Sequence, residues 1–192
     1  MRKVILFMHV SLDGFVCGPN GEQDWMTRND DDMGKYLESD FLSTVDTMLV
    51  GRVLYEGFAG FWPSVPENPD LPDELVDFGN WMNNTPKVVF SKSLKTVGWT
   101  NCRLAERELT DEIAYLKEQP GGDMITFGGA AFAAALTELN LVDEYRIKLE
   151  PIVLGTGKPL FKNGIDPIKL TLIKSKAFNS GVVGLYYQVN RN

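Results

Sequence analysis

Asp123-Met124-Ile125-Thr126-Phe127-Gly128-Gly129-Ala130-Ala131-Phe132 is the stretch that decides the fold class. A short β-forming segment runs into two glycines, and an alanine-rich segment of helical character continues to Leu139. A buried strand that turns directly into a helix is the repeating unit of an α/β sheet. The same unit recurs upstream. Val4-Ile5-Leu6-Phe7-Met8-His9-Val10 is nearly all apolar, as a strand covered on both faces requires. Thr47-Met48-Leu49-Val50 ends at Gly51-Arg52 with a short helix expected over 53–58, and Lys87-Val88-Val89-Phe90 ends at Ser91-Lys92-Ser93. Helices are expected over 72–83 and 109–118, and short extended pieces over 15–17 and 100–104. After Leu141 the character changes to long β segments at 142–153, 170–178 and 182–189. Asn179-Ser180-Gly181 folds the last two into a hairpin. The expected architecture is therefore α/β: a mixed, mostly parallel central sheet with an antiparallel C-terminal hairpin and helices on both faces. Residues 1–192 form one domain, in which the segment 59–71, rich in Pro, Gly, Asn and Trp, is expected to be an irregular insertion.

A chain of 192 residues buries about 70% of the surface of its unfolded form, enough to need no metal or disulfide staple. The net charge of −7 argues against sequence-independent binding to nucleic acid, which depends on Lys and Arg to release counterions from phosphates. It leaves room for an anionic small molecule in a local basic cleft. Cys17 and Cys102 have no CxxC spacing, and with His9 as the single histidine no His-rich metal site is expected. The apolar run at 4–10 is too short to span a membrane, and Asp13-Gly14 interrupts it before any leader-like cleavage site. The expected location is the cytoplasm, with reduced thiols.

In open α/β sheets ligands bind outside the carboxyl ends of the strands. Three such ends carry groups suited to a phosphorylated cofactor. Gly128, Gly129, Ala130, Ala131 and Phe132 lie at a strand-to-helix junction, where glycines admit a diphosphate and the helix N-terminus offers N–H groups. Val50, Gly51 and Arg52 end another strand with a guanidinium that can pair with a phosphate. Ser91, Lys92 and Ser93 end a third. The G-x-G-x-x-G fingerprint is absent, which disfavours a conventional dinucleotide fold.

Ser11-Leu12-Asp13-Gly14, Met48-Leu49-Val50-Gly51-Arg52, Val88-Val89-Phe90-Ser91 and Ile125-Thr126-Phe127-Gly128-Gly129, in that order, resemble the dihydrofolate reductase superfamily. The segment from Leu149 through Gly155-Thr156-Gly157-Lys158 to Phe161 is similar to its bacterial branch, the C-terminal reductase domain of the bifunctional riboflavin-biosynthesis deaminase/reductase. The resemblance covers nearly the whole chain. It implies a dihydrofolate reductase-like three-layer fold, NADPH as cofactor, a small heterocyclic substrate and a homodimer. It places Arg52 near the 2′-phosphate, Ser91 with Lys92 and Ser93 on the adenosine side, Gly128 to Phe132 around the diphosphate, and Gly18 to Gly21 in a lid over the nicotinamide. The leading expectation is reduction of 5-amino-6-(5-phosphoribosylamino)uracil. Dihydrofolate reduction and a non-catalytic nucleotide or pterin sensor are the alternatives.

The resemblance also implies a carboxylate at the start of the first helix, about five residues after a lid tryptophan. Trp25 and Asp30 fit, so Asp30 is the expected catalytic carboxylate, with Asp31 and Asp32 beside it. The same run equally reads as solvated carboxylates capping a helix. Leu54 stands where the family usually has threonine. His9 is expected to be a packed, locally hydrogen-bonded histidine, and Asp13 to fix a turn through its own backbone. Gly155 to Pro159 fails the P-loop pattern, with Ile152 at the first glycine and Pro159 at the hydroxyl position. Of Trp62, Trp81 and Trp99, at least two are expected in packing and not against a planar substrate.

Overall fold

The computed structural model describes residues 1–27, 32, 36 and 43–191. Ten strands are described: β1 (Val4–Ser11), β2 (Phe15–Cys17), β3 (Val45–Gly51), β4 (Lys87–Phe90), β5 (Cys102–Leu104), β6 (Asp123–Thr126), β7 (Glu144–Glu150), β8 (Lys158–Pro159), β9 (Leu170–Ala177) and β10 (Val183–Val189). Four α-helices are described over their whole length: α1 (Arg52–Phe61), α2 (Asp73–Asn84), α3 (Leu109–Glu118) and α4 (Ala130–Glu138). The central sheet runs β5-β4-β3-β6-β1-β7-β10-β9, and β2 pairs with β8 in a small second sheet. Within the large sheet every pairing is parallel except those of β10 with β7 and β9. The expected mixed sheet with an antiparallel C-terminal hairpin is what forms.

The central position of β1 explains its continuous apolar run, because alternate side chains serve two cores. Val4, Leu6 and Met8 pack with Ile113 and Leu116 of α3 and Ala133 and Leu136 of α4. Ile5 and Phe7 pack on the other side with Tyr55 of α1 and Met82 of α2. Three layers result.

The segment 59–71 departs from expectation. α1 continues through Phe61, and Trp62–Glu67 forms a 3-10 helix with a proline at its start. Pro63 lacks an N–H, so the α-helical ladder ends there, while the tighter turn still buries Val65. This turn lies close against α2: a Cβ on Gly79 would sit 2.7 Å from Val65 Cγ1. Asn83 Nδ2 donates to the Trp62 carbonyl at 3.0 Å. The segment is thus a docked helical turn.

Two charged side chains fix loops around the sheet. Lys87 is 1% exposed, donates to the carbonyls of Thr85 (2.7 Å), Thr100 (3.1 Å) and Asn83 (3.2 Å), and burial pulls its pKa down to about 8. Asp13 accepts from Ser11 Oγ (2.6 Å) and from the N–H groups of Gly155 (2.7 Å) and Leu154 (3.1 Å). It pins a loop 141 residues away and not only its own turn.

Candidate functional site

The carboxyl ends of β1, β3, β4 and β6 lie on one edge of the sheet, because all four run parallel. Above them opens a cleft of about 1090 Å3. Gly51, Arg52, Gly129, Ala130, Ala131 and Phe132 line it. Val50 is buried beneath, and Gly128 is buried against Met8 with φ +107°. Gly51 has ordinary backbone angles, but a Cβ there would meet Phe132 Cβ at 2.8 Å, so close packing of β3 on α4 demands glycine. Gly129 needs its freedom for a different reason, a φ of +81° at the turn into α4.

Ser91, Lys92 and Ser93 do not line the cleft; Phe90, just before them, does. Ser91 Oγ accepts from the N–H groups of Leu94 (3.0 Å) and Ser93 (3.2 Å), which closes a turn. Lys92 is exposed, 3.8 Å from Glu108. Asp30 and Asp31 lie outside the described residues; the Asp32 carboxylate pairs with Lys176 Nζ at 3.1 Å.

The helix N-termini differ according to what they face. α2 carries Asp73 and Glu74 in its first turn, and α3 carries Asp111 and Glu112, the usual complement to the positive end of the dipole. α1 and α4, which begin on the cleft, have no acidic residue in the first turn and no side-chain cap. In α4 the Phe132 and Ala133 N–H groups bond to the Gly129 carbonyl at 2.9 Å, and those of Ala130 and Ala131 precede the first intrahelical donor. Arg52, at the start of α1, is held by Glu56 at 2.9 Å in a half-exposed i,i+4 pair. Such a pair is worth only about 0.3–0.5 kcal/mol, so the guanidinium is cheaply released to an anion. Small residues, free helix N-termini and an arginine fit a phosphorylated dinucleotide.

The opposite wall is aromatic. Phe58, Trp62, Phe78, Phe127 and Phe7 line the cleft, joined by edge-on contacts such as Trp62 to Phe78 at 5.2 Å and Phe7 to Phe127 at 5.7 Å. Trp81 stacks on Phe78 behind them. Trp62, from the docked insertion, therefore faces the cleft, while Trp99 is core, its Nε1 donating to Asn83 Oδ1 at 2.7 Å. Among the described residues Trp62 Nε1 is buried without a hydrogen-bond partner. Gly21, Gln23 and Met26 close the cleft from the segment expected to act as a lid, and Lys158 borders it from β8.

A polar pair that sequence reasoning does not reveal joins this wall, His9 on the cleft and Glu150 behind it. Glu150 at the end of β7 is 1% exposed, and its Oε1 is 2.6 Å from His9 Nδ1. Its Oε2 accepts from Thr27 Oγ1 (2.7 Å) and the Thr27 N–H (3.2 Å). Burial pushes the Glu150 carboxyl up, but the hydrogen bonds from His9 and Thr27 and the charge of His9 outweigh it, leaving the pKa below the usual glutamate value. His9 lines the cleft, so it is hydrogen-bonded as expected, yet to a residue distant in sequence and at the ligand space. The available signal is only that His9 lies near the end of β1 and Glu150 at the end of β7, and their pairing appears only once the two strands are neighbours.

The profile of the RibD C-terminal domain family matches residues 2–184. The Bacillus subtilis (strain 168) protein YyaP, itself uncharacterized, is 36% identical over 189 residues, covering 98% of this chain and 96% of that protein. A crystal structure of a putative riboflavin biosynthesis protein from Shewanella sp. PV-4 superimposes with a TM-score of 0.74 at 24% identity, over 99% of this chain and 100% of that one. Dihydrofolate reductase from Enterococcus faecalis, solved with NADP(H), gives a TM-score of 0.62 at 13% identity over 98% of this chain and 97% of that one. The fold is thus shared with dihydrofolate reductase, and by its sequence the chain belongs to the RibD C-terminal domain family.

Proposed function

We propose that the protein is an NADPH-dependent reductase of a small heterocyclic substrate, of the type that reduces 5-amino-6-(5-phosphoribosylamino)uracil in riboflavin biosynthesis. The observation that carries this reading is the cleft onto which α1 and α4 both open with N-termini bare of acids, beside Arg52. In this reading Gly129, Ala130 and Ala131 hold the diphosphate by backbone N–H groups, with Gly128 and Phe132 shaping the turn. Arg52 leaves Glu56 to pair with the 2′-phosphate, and Gly51 and Val50 form the floor. Ser91, Lys92 and Ser93 border the adenosine from beyond Phe90. NADPH, when bound, supplies a hydride.

The aromatic wall at Phe7, Trp62, Phe78 and Phe127 accepts a planar ring, which suits a pyrimidine-like or pterin-like acceptor. Asp30 keeps its proposed place as a substrate-side carboxylate. In this reading the partner is a small molecule and not a nucleic acid, in keeping with the net charge of −7; among the described residues no helix is long and apolar enough to cross a membrane. A cytoplasmic location follows from this reading.

A homodimer is part of it too. In the C-terminal hairpin Val182 and Tyr186 are buried, whereas edge strand β9 exposes Leu170, Leu172 and Ile173. Pairing through β9 would cover an otherwise open sheet edge. A monomeric mass by light scattering removes that part.

The test is titration with NADPH followed by turnover at 340 nm against a panel of aminouracil and pterin acceptors. Binding in the micromolar range and oxidation with at least one acceptor are expected. Absence of NADPH binding refutes the assignment.

A further inference from the structure

Odd-numbered residues of β1 face the α1/α2 side of the sheet, and Ile5 and Phe7 are packed there. The next residue on that face, His9, lies on the cleft with its side chain 20% exposed, while the Glu150 side chain behind it is 1% exposed. The ring therefore stands between a buried carboxylate and the ligand space. A carboxylate taken out of water must be compensated, and three hydrogen bonds from His9 and Thr27 do this for Glu150. A purely structural tie between β7 and Thr27 would be met by any neutral acceptor. An ionised one bonded to Nδ1 stabilises the imidazolium, fixes the ring and turns Nε2 away from the carboxylate.

The remaining groups on the cleft point the same way. Among the described residues that line it none carries a carboxyl group. Arg52, Lys148 and Lys158 are cations suited to holding anions, and burial pushes the Cys17 thiol up. A general acid works best when its pKa lies near the working pH, and of the side-chain types among the described residues on the cleft only imidazole ordinarily titrates there.

We infer that His9, positioned by Glu150, is the catalytic proton donor to the substrate; the inference rests on the reductase reading above and deepens it. The reduction adds one hydride and one proton across a C=N or C=O bond. The π bond breaks, the carbon gains the hydride from reduced nicotinamide, which is left oxidised, and the nitrogen or oxygen takes the proton from His9 Nε2. His9 becomes neutral, with Nδ1–H still bonded to Glu150, and is reprotonated from solvent through its exposed edge. Lys148, whose backbone pairs with His9 and whose Nζ lies 5.5 Å from the Phe7 ring, and Lys158 favour the neutral ring; Glu150 opposes them.

His9 is the only histidine, so its ring can be read by 15N-histidine NMR without assignment. In the wild type the neutral form is expected to carry its proton on Nδ1, and Glu150→Gln is expected to lower the titration midpoint by about one unit or more. Identical titration in the two proteins overturns the inference whatever the enzyme reduces. In turnover, His9→Asn is expected to lose about 100-fold in kcat with NADPH affinity kept within about twofold, and Glu150→Gln to move the acid-dependent limb of the rate profile to lower pH. A His9→Asn enzyme with wild-type kcat and pH profile, or a limb abolished by Asp30→Asn instead, overturns it. His9→Gln, with its thermal midpoint checked beside His9→Asn, separates loss of the proton from loss of folding. A wild-type protein that neither binds nor oxidises NADPH defeats the reductase reading itself, a result distinct from either His9 outcome.

Discussion

Placing a carboxylate at position 131 should move stability and cofactor binding in different directions. Ala131 is the second residue of α4, exposed and on the cleft. For the helix alone, an acid in the first turn gains about 0.3–1 kcal/mol from the dipole and gives back a few tenths in helix propensity. At about 2–4 °C per kcal/mol for a chain of this size, the apoprotein of Ala131→Glu should melt within about 2 °C of wild type. For the cofactor, one unit of like charge about 6 Å from a phosphate, at an effective dielectric of about 20, costs about 2.8 kcal/mol. That is about 100-fold in Kd for NADPH, less at high salt. Ala131→Gln, nearly the same shape without charge, should bind within a few fold of wild type. Calorimetric melting of the apo forms and fluorescence titration with NADPH measure both quantities. Equal NADPH affinity for the Glu and Gln variants refutes the idea that the α4 N-terminus holds the diphosphate, and a fall of more than about 5 °C in both shows that position 131 is packed and not open.

Three further outcomes follow from individual contacts. Arg52→Ala gives up only a half-exposed pair with Glu56, so stability should change by less than about 0.5 kcal/mol while the preference for NADPH over NADH falls at least about tenfold; equal preference before and after removes Arg52 from the 2′-phosphate. Glu112 is fully buried, and although burial raises its carboxyl, Arg103 at 2.6 Å and Arg107 at 3.2 Å bring it below the ordinary value. Its folded pKa lies under the unfolded one, so its stabilisation is complete above the ordinary glutamate range and is lost as pH falls through the folded pKa; urea midpoints measured from pH 7 to 3 should fall less steeply in Glu112→Gln. Burial pushes the Cys102 thiol up to about 11 and raises that of Cys17, so native protein at pH 8 should react slowly with Ellman's reagent and denatured protein at once.

What the amino-acid sequence made legible divides along the line between local and non-local structure. α3 is read to the residue, because Leu109, Ile113 and Leu116 mark one helical face and need no partner to be recognised. The half of the cleft proposed to hold phosphates is legible for the same reason. Gly51-Arg52 and Gly128-Gly129-Ala130-Ala131 each sit on a single strand-to-helix junction, and parallel pairing brings those junctions together. The segment 59–71 is harder to read because Pro63 and Pro66 look like breakers, although a 3-10 turn accepts them and leaves Trp62 in place to build the wall.

The substrate half is assembled by register, and register is what a single sequence conceals. His9 reaches Glu150 because β1 pairs with β7 so that Ser11 lies opposite Glu150, which sets both side chains on one face two positions apart. Neither strand's composition discloses this, since each is plausible as it stands. Lys87 and Asp13 are concealed likewise: each looks like a boundary charge, and each satisfies backbone groups brought in by tertiary folding. The two halves of the cleft therefore answer to different constraints. In the proposed reading, changing a junction glycine or Arg52 disturbs the groups that receive the anion, whereas exchanging His9, Glu150 or Trp62 alters proton supply and ring contact with both junctions intact. Cofactor use should thus be the durable property of this architecture and substrate choice the variable one, and their separation lies in which side chains are set by local turns and which by the pairing of β1 with β7.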